Sequence, residues 1–246
     1  MSSGIAPPPQ AAETAETAET AETGESTPKR TAADRLRVVE IFHSIQGEST
    51  FAGQRCILIR LTGCQMRCTW CDTVYSFREG SSMSRREILD EVAQYDCPLV
   101  ELTGGEPLLQ KGALPLLKDL CDAGYGLLLE TGGGLDISGV DPRVHRIVDI
   151  KCPGSGESEN NHWPNLDVLT PRDEVKCVLA DEADYLWARD LVLERGLPDL
   201  CPVHFSPVHG ELDAQALAEW ILRDRLPVRL QLQVHKFIWD PATRGV

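Results

Sequence analysis

The sequence predicts an α/β fold, a partial (β/α)6-type open barrel over residues 34–246, and three observations point there. From residue 35 onward short apolar runs alternate with segments of helical period, the pattern of strand–helix units that assemble a parallel sheet. About six such units fit in the chain, fewer than the eight of a closed barrel, so the sheet should stay open. Residues 1–33 stand apart. Their "PPPQ" and "AETAETAETAET" offer almost no apolar surface beyond alanine to offset the entropy of ordering, and a disordered low-complexity tail is expected.

"CILIRLT" (56–62) reads as the first strand, with Leu58, Arg60 and Thr62 on one face and Ile57, Ile59 and Leu61 on the other. "SRREILDEVAQY" (84–95) reads as a helix in which Ser84 is the N-cap and Glu87 completes a capping box. "PLVELTG" (98–104) and "YGLLLETG" (125–132) are the next strands, separated by a helical segment (108–124) that has Pro115 near its regular start and Gly124 at its end. "HRIVDIKCP" (145–153), "EVKCVLA" (174–180) and "VHFSPV" (203–208) continue the series, with helices over 181–196 and 213–226. "VRLQLQVHKF" (228–237) closes it as a last strand whose Arg229, Gln231, Gln233 and His235 share one polar face. A wholly polar face suits a sheet covered on both sides only if it lines a polar cavity; an exposed edge strand is the other reading. Ligand-binding residues should collect at the carboxyl edge of the strands.

A formal net charge of −14 disfavours a nonspecific nucleic-acid binder, because phosphate contact relies on Lys and Arg. The tail holds five Glu against Lys29 and Arg30, so most of the acidity belongs to the expected domain. No apolar run approaches membrane-spanning length, and the first residues lack the basic start and apolar core of a secretory leader. A cytoplasmic protein with small-molecule partners is expected. Nine cysteines are many for a reducing compartment, where clusters more often bind metals than form disulfides.

Three of the nine, Cys64, Cys68 and Cys71, follow the first strand at C-x3-C-x2-C spacing in "GCQMRCTWCDT". Thiolates so spaced can gather round one soft metal centre at the carboxyl edge. A structural zinc site and a fully ligated [4Fe–4S] cluster both need a fourth ligand, and the loop has no fourth cysteine. Cys56 lies at the far end of the strand. Three readings stand: buried small hydrophobes, zinc with a distant fourth ligand, and a cubane with one iron left open, which suits the spacing best. Cys97, Cys121, Cys177 and Cys201 lie in or beside apolar runs and read as packing residues.

The triplet, with Trp70 before its last cysteine, resembles the signature of radical S-adenosylmethionine enzymes, and "LTGGEP" (102–107) is similar to the Gly-Gly-Glu-Pro element of the same superfamily. The resemblance implies a [4Fe–4S] cluster whose open iron is chelated by S-adenosyl-L-methionine, so that the cosubstrate supplies the missing ligand. It assigns S-adenosylmethionine contacts to Trp70, Asp72, Gly104, Gly105, Glu106, Glu130, Asp149 and Lys151. As plain chemistry, the glycines allow close approach, and Glu130, Asp149 and Lys151 read equally well as surface charges.

"EIFHSIQGEST" (40–50), "RLTGC", "CDT", "LTGGEP" and "LQLQVHK" together resemble the 7-carboxy-7-deazaguanine synthase family over roughly residues 36–246. That family implies radical ring contraction of a carboxytetrahydropterin, with Mg2+, an external electron donor of the flavodoxin kind and a homodimer. The resemblance places the magnesium contact at Thr73 and the substrate contacts at Ile45, Gln46, Gly47, Glu48, Arg60, Thr103, His235 and the terminal Val246. Two expectations follow from physical chemistry. An inward Arg60 needs an anion, either a substrate carboxylate or a buried acid such as Glu106 or Glu130, and Gln46 with Glu48 can pair with the donor-rich edge of a pterin, as such groups do with base edges. "FIWDPATRGV" should fold back over the opening, anchored by Trp239. A radical activase of a glycyl radical enzyme and a non-enzymatic zinc-binding module are the alternatives.

Overall fold

The computed structural model describes residues 34–246, and the expected tail lies outside the described residues. β1 (Arg35–Ile45) turns back on β2 (Arg55–Leu61) as an antiparallel pair, and β3 (Ser81–Ser84) adds antiparallel to the other side of β1. α1 (Arg85–Val92) leads to β4 (Leu99–Gly104), which lies parallel to β2. α2 (Ala113–Asp122), β5 (Gly126–Thr131), β6 (His145–Lys151), β7 (Glu174–Leu179), α3 (Glu182–Arg195), α4 (Leu197–Leu200), β8 (Val203–Pro207), α5 (Ala214–Asp224), β9 (Arg229–Leu230) and α6 (His235–Ile238) complete the chain. The result is one sheet in the order β3-β1-β2-β4-β5-β6-β7-β8-β9, parallel from β2 onward. No helix among the described residues is long and apolar enough to cross a membrane.

The six expected strands from "CILIRLT" to "VHFSPV" are β2, β4, β5, β6, β7 and β8. Ser84 caps α1, its side chain accepting from Glu87 N and Glu87 answering at the cap. Asp181 caps α3, and Gly196 ends it at φ 60°. Helical coverage is incomplete, however. No helix stands between β5 and β6, and β6 reaches β7 through the short 3-10 turns Pro153–Ser155, Ser158–Asn160 and Trp163–Val168.

Two expectations need correction. β1 precedes the strand read as first, and its alternation is hidden by a bulge between Val38 and Glu40. Leu36 and Val38 are buried on the helix side, and the bulge shifts the parity so that Ile41 pairs with Ile59 on that same side. At the other end, the strand expected over 228–237 stops at Leu230. Gln231 N still donates to Phe205 O at 2.9 Å, but Val234 N donates to Gly47 O at 3.0 Å, which pulls the chain out of the sheet and into α6. Arg229 is exposed while Gln231 is buried, so the predicted single polar face does not exist.

Apolar side chains gather between sheet and helices. Ile57, Ile59 and Leu61 meet Ile88 of α1 and Leu116, Leu117 and Leu120 of α2, and Val175, Cys177 and Phe205 meet Tyr185, Ala188 and Val192 of α3. Cys97, Cys177 and Cys201 are buried as packing residues, and Cys121 is half-buried against the same core.

The inner face is polar from bottom to top. At the amino edge Glu174 of β7 is wholly buried and accepts from Thr50 N at 3.0 Å, with His145 Nε2 and His204 Nε2 each at 2.7 Å. This network ties the β1–β2 loop to β6, β7 and β8. Burial favours a neutral Glu174, but the bonds from His145 and Thr50 and the close His204 imidazole hold its carboxyl far below the usual range. Glu174→Ala should lower stability by about 3 kcal/mol or more, because it strands the buried His204 imidazole and the half-buried His145. Urea denaturation of the two proteins under one condition measures the loss.

Candidate functional site

A cavity of about 530 Å³ opens at the carboxyl edge, and its wall is drawn from nearly every motif singled out in the sequence. Cys64, Cys68, Trp70, Cys71, Asp72 and Thr73 form one side, Gly104, Gly105 and Glu130 the next, Asp149 and Lys151 the third. Ile45, Gln46, Gly47, Glu48, Arg60 and Thr103 form the floor and its rim, and His235 and Val246 reach in from the C-terminal segment.

The cysteine loop leaves β2 at Gly63, whose φ of 97° only glycine adopts freely. Gly63 N donates to Ser76 O at 2.8 Å, Met66 N to Cys64 Sγ at 3.4 Å and Cys71 N to Cys68 O at 3.2 Å. All three cysteines are free thiols facing the one cavity. Burial pushes the Cys64 and Cys68 thiols up, with Lys151 pulling the other way. Among the described residues no three His, Cys, Asp or Glu side chains are gathered closely enough for a single metal ion. The donor set itself, three soft thiols facing one common space, is of the kind that holds an iron–sulfur cluster.

Gly104 and Gly105 are required by the chain itself. Gly104 sits at φ 139°, and a Cβ there would meet Leu61 O at 2.3 Å; one on Gly105 would meet Gly63 O at 2.2 Å. The close approach is thus between the β4 end and the start of the cysteine loop, sealed by Glu106 N donating to Gly63 O at 2.7 Å. Glu106 is fully buried and is not on the cavity wall. It accepts from Leu108 N at 3.0 Å, Thr131 Oγ1 at 2.8 Å and Gly132 N at 2.8 Å, which joins the β4 and β5 ends, and burial raises its pKa. Asp149 and Lys151 form an ion pair at 2.7 Å beside Cys68; burial lowers the lysine's pKa, but Asp149 and Cys68 outweigh it and hold it above normal.

Arg60 faces the cavity as its parity requires, but its partner is neither acid expected. Its Nε donates to Glu40 Oε1 at 2.7 Å, and Tyr75 Oη donates to the same oxygen at 3.0 Å. Glu40 escaped notice because β1 was not read as a strand. Thr73 Oγ1 lies 3.8 Å from Cys71 Sγ, and Asp72 pairs with Lys236 at 2.6 Å.

The residue that sequence reasoning missed is Lys176, in the middle of β7. It reaches Glu48 Oε2 at 2.8 Å and also contacts Glu130, whose Oε2 accepts from Thr103 Oγ1 at 3.1 Å. A lysine in the middle of the buried strand EVKCVL, two residues after Glu174 and so on the same face, is the available signal. Glu48 also accepts from Gln233 Nε2 at 2.8 Å; burial alone would favour its neutral form, but Lys176 outweighs this and its pKa falls to about 2. Gln46 Oε1 accepts from Glu48 N at 2.8 Å, which turns Gln46 Nε2 toward the buried Glu101, another cavity residue not foreseen. Burial, then the charges of Glu130 and Glu48, push the Glu101 carboxyl well above its ordinary range. Gln46 and Glu48 are thus largely engaged with the protein, and Glu101 is the floor acid without a cation in contact.

The C-terminal segment does cover the opening, though Trp239 is not on the cavity wall. Lys236 holds Asp72, Arg244 pairs with Glu79 at 2.9 Å, and the Arg244 guanidinium lies 3.6 Å from the Tyr75 ring centroid. His235 packs so closely on the β1–β2 loop that a Cβ on Gly47 would meet its Nδ1 at 2.0 Å. Burial lowers the His235 pKa against the pull of Glu48.

Set against known proteins, residues 58–220 match the model of the Radical SAM superfamily. The 7-carboxy-7-deazaguanine synthase of Chlorobaculum tepidum is 52% identical over 214 residues, covering 86% of this chain and 97% of that protein. Its counterpart in Koribacter versatilis is 46% identical over 227 residues, covering 86% and 100%. Among solved structures, QueE from Escherichia coli shares the fold with a TM-score of 0.65 at 23% identity, over 82% of this chain and 95% of that one.

Because Glu48 titrates far lower in the folded protein than its ordinary 4.5, its contribution is present above that value and is lost as pH falls toward 2. Glu48→Gln should therefore lower the melting temperature at neutral pH and flatten its decline on acidification. Melting curves between neutral and acid pH measure both effects.

Proposed function

The chain belongs to the 7-carboxy-7-deazaguanine synthase family of the Radical SAM superfamily, and from that membership we propose that it contracts 6-carboxy-5,6,7,8-tetrahydropterin to 7-carboxy-7-deazaguanine with loss of ammonia. The carrying observation is that a single cavity gathers side chains from the IQGE, RLT, CDT, TGGE and VHK stretches together with the chain end. Family membership implies a [4Fe–4S] cluster and S-adenosylmethionine, which when bound supply a 5′-deoxyadenosyl radical to the cavity. Cys64, Cys68 and Cys71 would hold the cluster. Trp70, Gly104, Gly105, Glu130, Asp149 and Lys151 line the adjoining wall, and their position supports contacts to S-adenosylmethionine. Asp72 and Glu106 act there indirectly, Asp72 by holding Lys236 and Glu106 by joining the β4 and β5 ends.

At the floor, the inward face of Arg60 supports pairing with the substrate carboxylate while Glu40 keeps the guanidinium in place. The donor-rich edge of the pterin falls to Glu101 as much as to Gln46 and Glu48, since Glu101 alone of these acids has no lysine or arginine in contact. Thr103, Ile45, Gly47 and His235 shape the remaining walls, and the Val246 carboxylate can accept from pterin N–H groups. Thr73 would contact Mg2+ whose shell is completed by substrate oxygens and water, as magnesium without an acidic cage requires. A homodimer, a flavodoxin-like electron donor and supply of a 7-deazapurine of the queuosine type for tRNA modification complete the reading, which a cytoplasmic location suits.

Anaerobic incubation of the reconstituted protein with the carboxytetrahydropterin, S-adenosylmethionine and reductant, followed by mass spectrometry, should yield 7-carboxy-7-deazaguanine. Absence of that product from cluster-loaded protein that still cleaves S-adenosylmethionine would overturn the assignment. Cys68→Ala should abolish cleavage, as measured by 5′-deoxyadenosine release. Removing residues 243–246 deletes both the Arg244 latch and the terminal carboxylate, and should weaken pterin binding about tenfold or more, the worth of one charge-assisted hydrogen bond. Calorimetric titration reads that loss, with S-adenosylmethionine affinity unchanged.

A further inference from the structure

The segment that follows β6, "PGSGESEN" (153–160), belongs to no assigned motif beyond Lys151, yet it grips the cysteine loop. Thr69 N donates to Ser155 O at 3.1 Å and Thr69 Oγ1 to Gly154 O at 2.9 Å. Two residues earlier, Arg67 N donates to Glu157 Oε1 at 2.5 Å. The Met66–Arg67 and Cys68–Thr69 peptide groups, which bracket Cys68, are therefore held by the same segment.

That segment is itself rigidly seated. Ser155 is fully buried, its Oγ donating to Cys152 O at 2.6 Å and accepting from Glu157 N at 3.1 Å. Gly154 N donates to Asp184 Oδ1 at 2.7 Å, at the start of α3, and Asn160 Nδ2 donates to Glu157 Oε2 at 2.5 Å. Glu157 is only 9% exposed, and among the described residues no lysine, arginine or histidine forms an ion pair with it. Arg67, the nearest in sequence to its bond, turns its guanidinium away to Cys64 O at 2.8 Å and Met66 O at 2.6 Å, 4.3 Å from the Phe77 ring centroid. A buried carboxylate satisfied only by neutral donors is costly to keep. Its Arg67 bond sets the loop one peptide before a cluster ligand.

We infer that Glu157 is a positioning residue for the iron–sulfur cluster, holding the Met66–Arg67 peptide so that the Cys68 thiol that follows stays on the ligating side of the loop. Glu157 does not line the cavity, so it acts through the loop. Residues that orient metal ligands from behind typically change metal affinity by about 10–100-fold when removed. The inference rests on assigning the cluster to Cys64, Cys68 and Cys71, and Cys68→Ala tests that assignment separately.

The test follows the cluster directly. Reconstituted wild type, Glu157→Ala, Glu157→Gln and Cys68→Ala are compared anaerobically for iron and sulfide per chain, for the rate at which a chelator bleaches the visible band, and for the reduced electron paramagnetic resonance signal. Melting curves of the cluster-free proteins accompany them. Glu157→Ala should bleach about tenfold faster or more and broaden or shift the resonance, and Glu157→Gln should restore both, because its amide oxygen accepts the same N–H bond. The inference fails if Glu157→Ala bleaches at the wild-type rate with an unchanged resonance, including the case in which only its melting temperature falls. Wild-type behaviour of Cys68→Ala would instead overturn the cluster assignment.

Discussion

The floor of the site rests on Lys176. An open barrel with a polar interior faces the problem that buried carboxylates cannot all be charged at once. Lys176 answers it for two of them, drawing Glu48 from the β1–β2 loop and Glu130 from β5 onto one ammonium in the middle of β7. The loop is thereby raised from the amino edge of the sheet into the barrel, where Gln46 then faces Glu101. Below, Glu174 repeats the device with two histidines and Thr50. The β1–β2 loop is thus held at two depths by one strand, and the floor of the cavity exists because of that double attachment.

The walls depend on a different constraint, close approach of backbone to backbone. Gly104 and Gly105 leave room for Leu61 O and Gly63 O, and the bonds from Gly105 N and Glu106 N fix the start of the cysteine loop against the end of β4. Any side chain at either position meets main-chain oxygen, which has no rotamer to offer. The three thiols are consequently presented by a loop whose start is fixed by main-chain contacts of the protein itself.

Much of this was legible in the sequence because it lay in local patterns. The capping box of α1 and the parity of β2 each reflect a short-range rule and stand in the structure as read, and the three closely spaced cysteines line one cavity. Two kinds of feature were not legible. β1 was hidden by its bulge, since one extra residue breaks the period of two on which strand reading relies. Arg60 lost its true partner with it, because Glu40 is opposite only once β1 is paired. "VRLQLQVHKF" had the right period but too few neighbours: beyond Gln231 the backbone donors find Gly47 and the turn of α6 in place of a strand. Lys176 and Glu101 carried no local signal beyond being charged within apolar runs, and their meaning comes from which strands the topology sets side by side.

The end of the chain couples the two halves of the site. Lys236 holds Asp72, directly after the last cysteine, while His235 beside it packs on Gly47 at the floor. Arg244 holds Tyr75 and Glu79, and Tyr75 in turn donates to Glu40, the partner of Arg60. The cysteine loop is therefore joined through Asp72 and Tyr75 to the segment that bears Val246, and through Glu40 to Arg60. The shape of the opening and the placement of the three thiols thus depend on one connected set of contacts, because the residues that fix the loop also seat the terminus and orient the floor arginine.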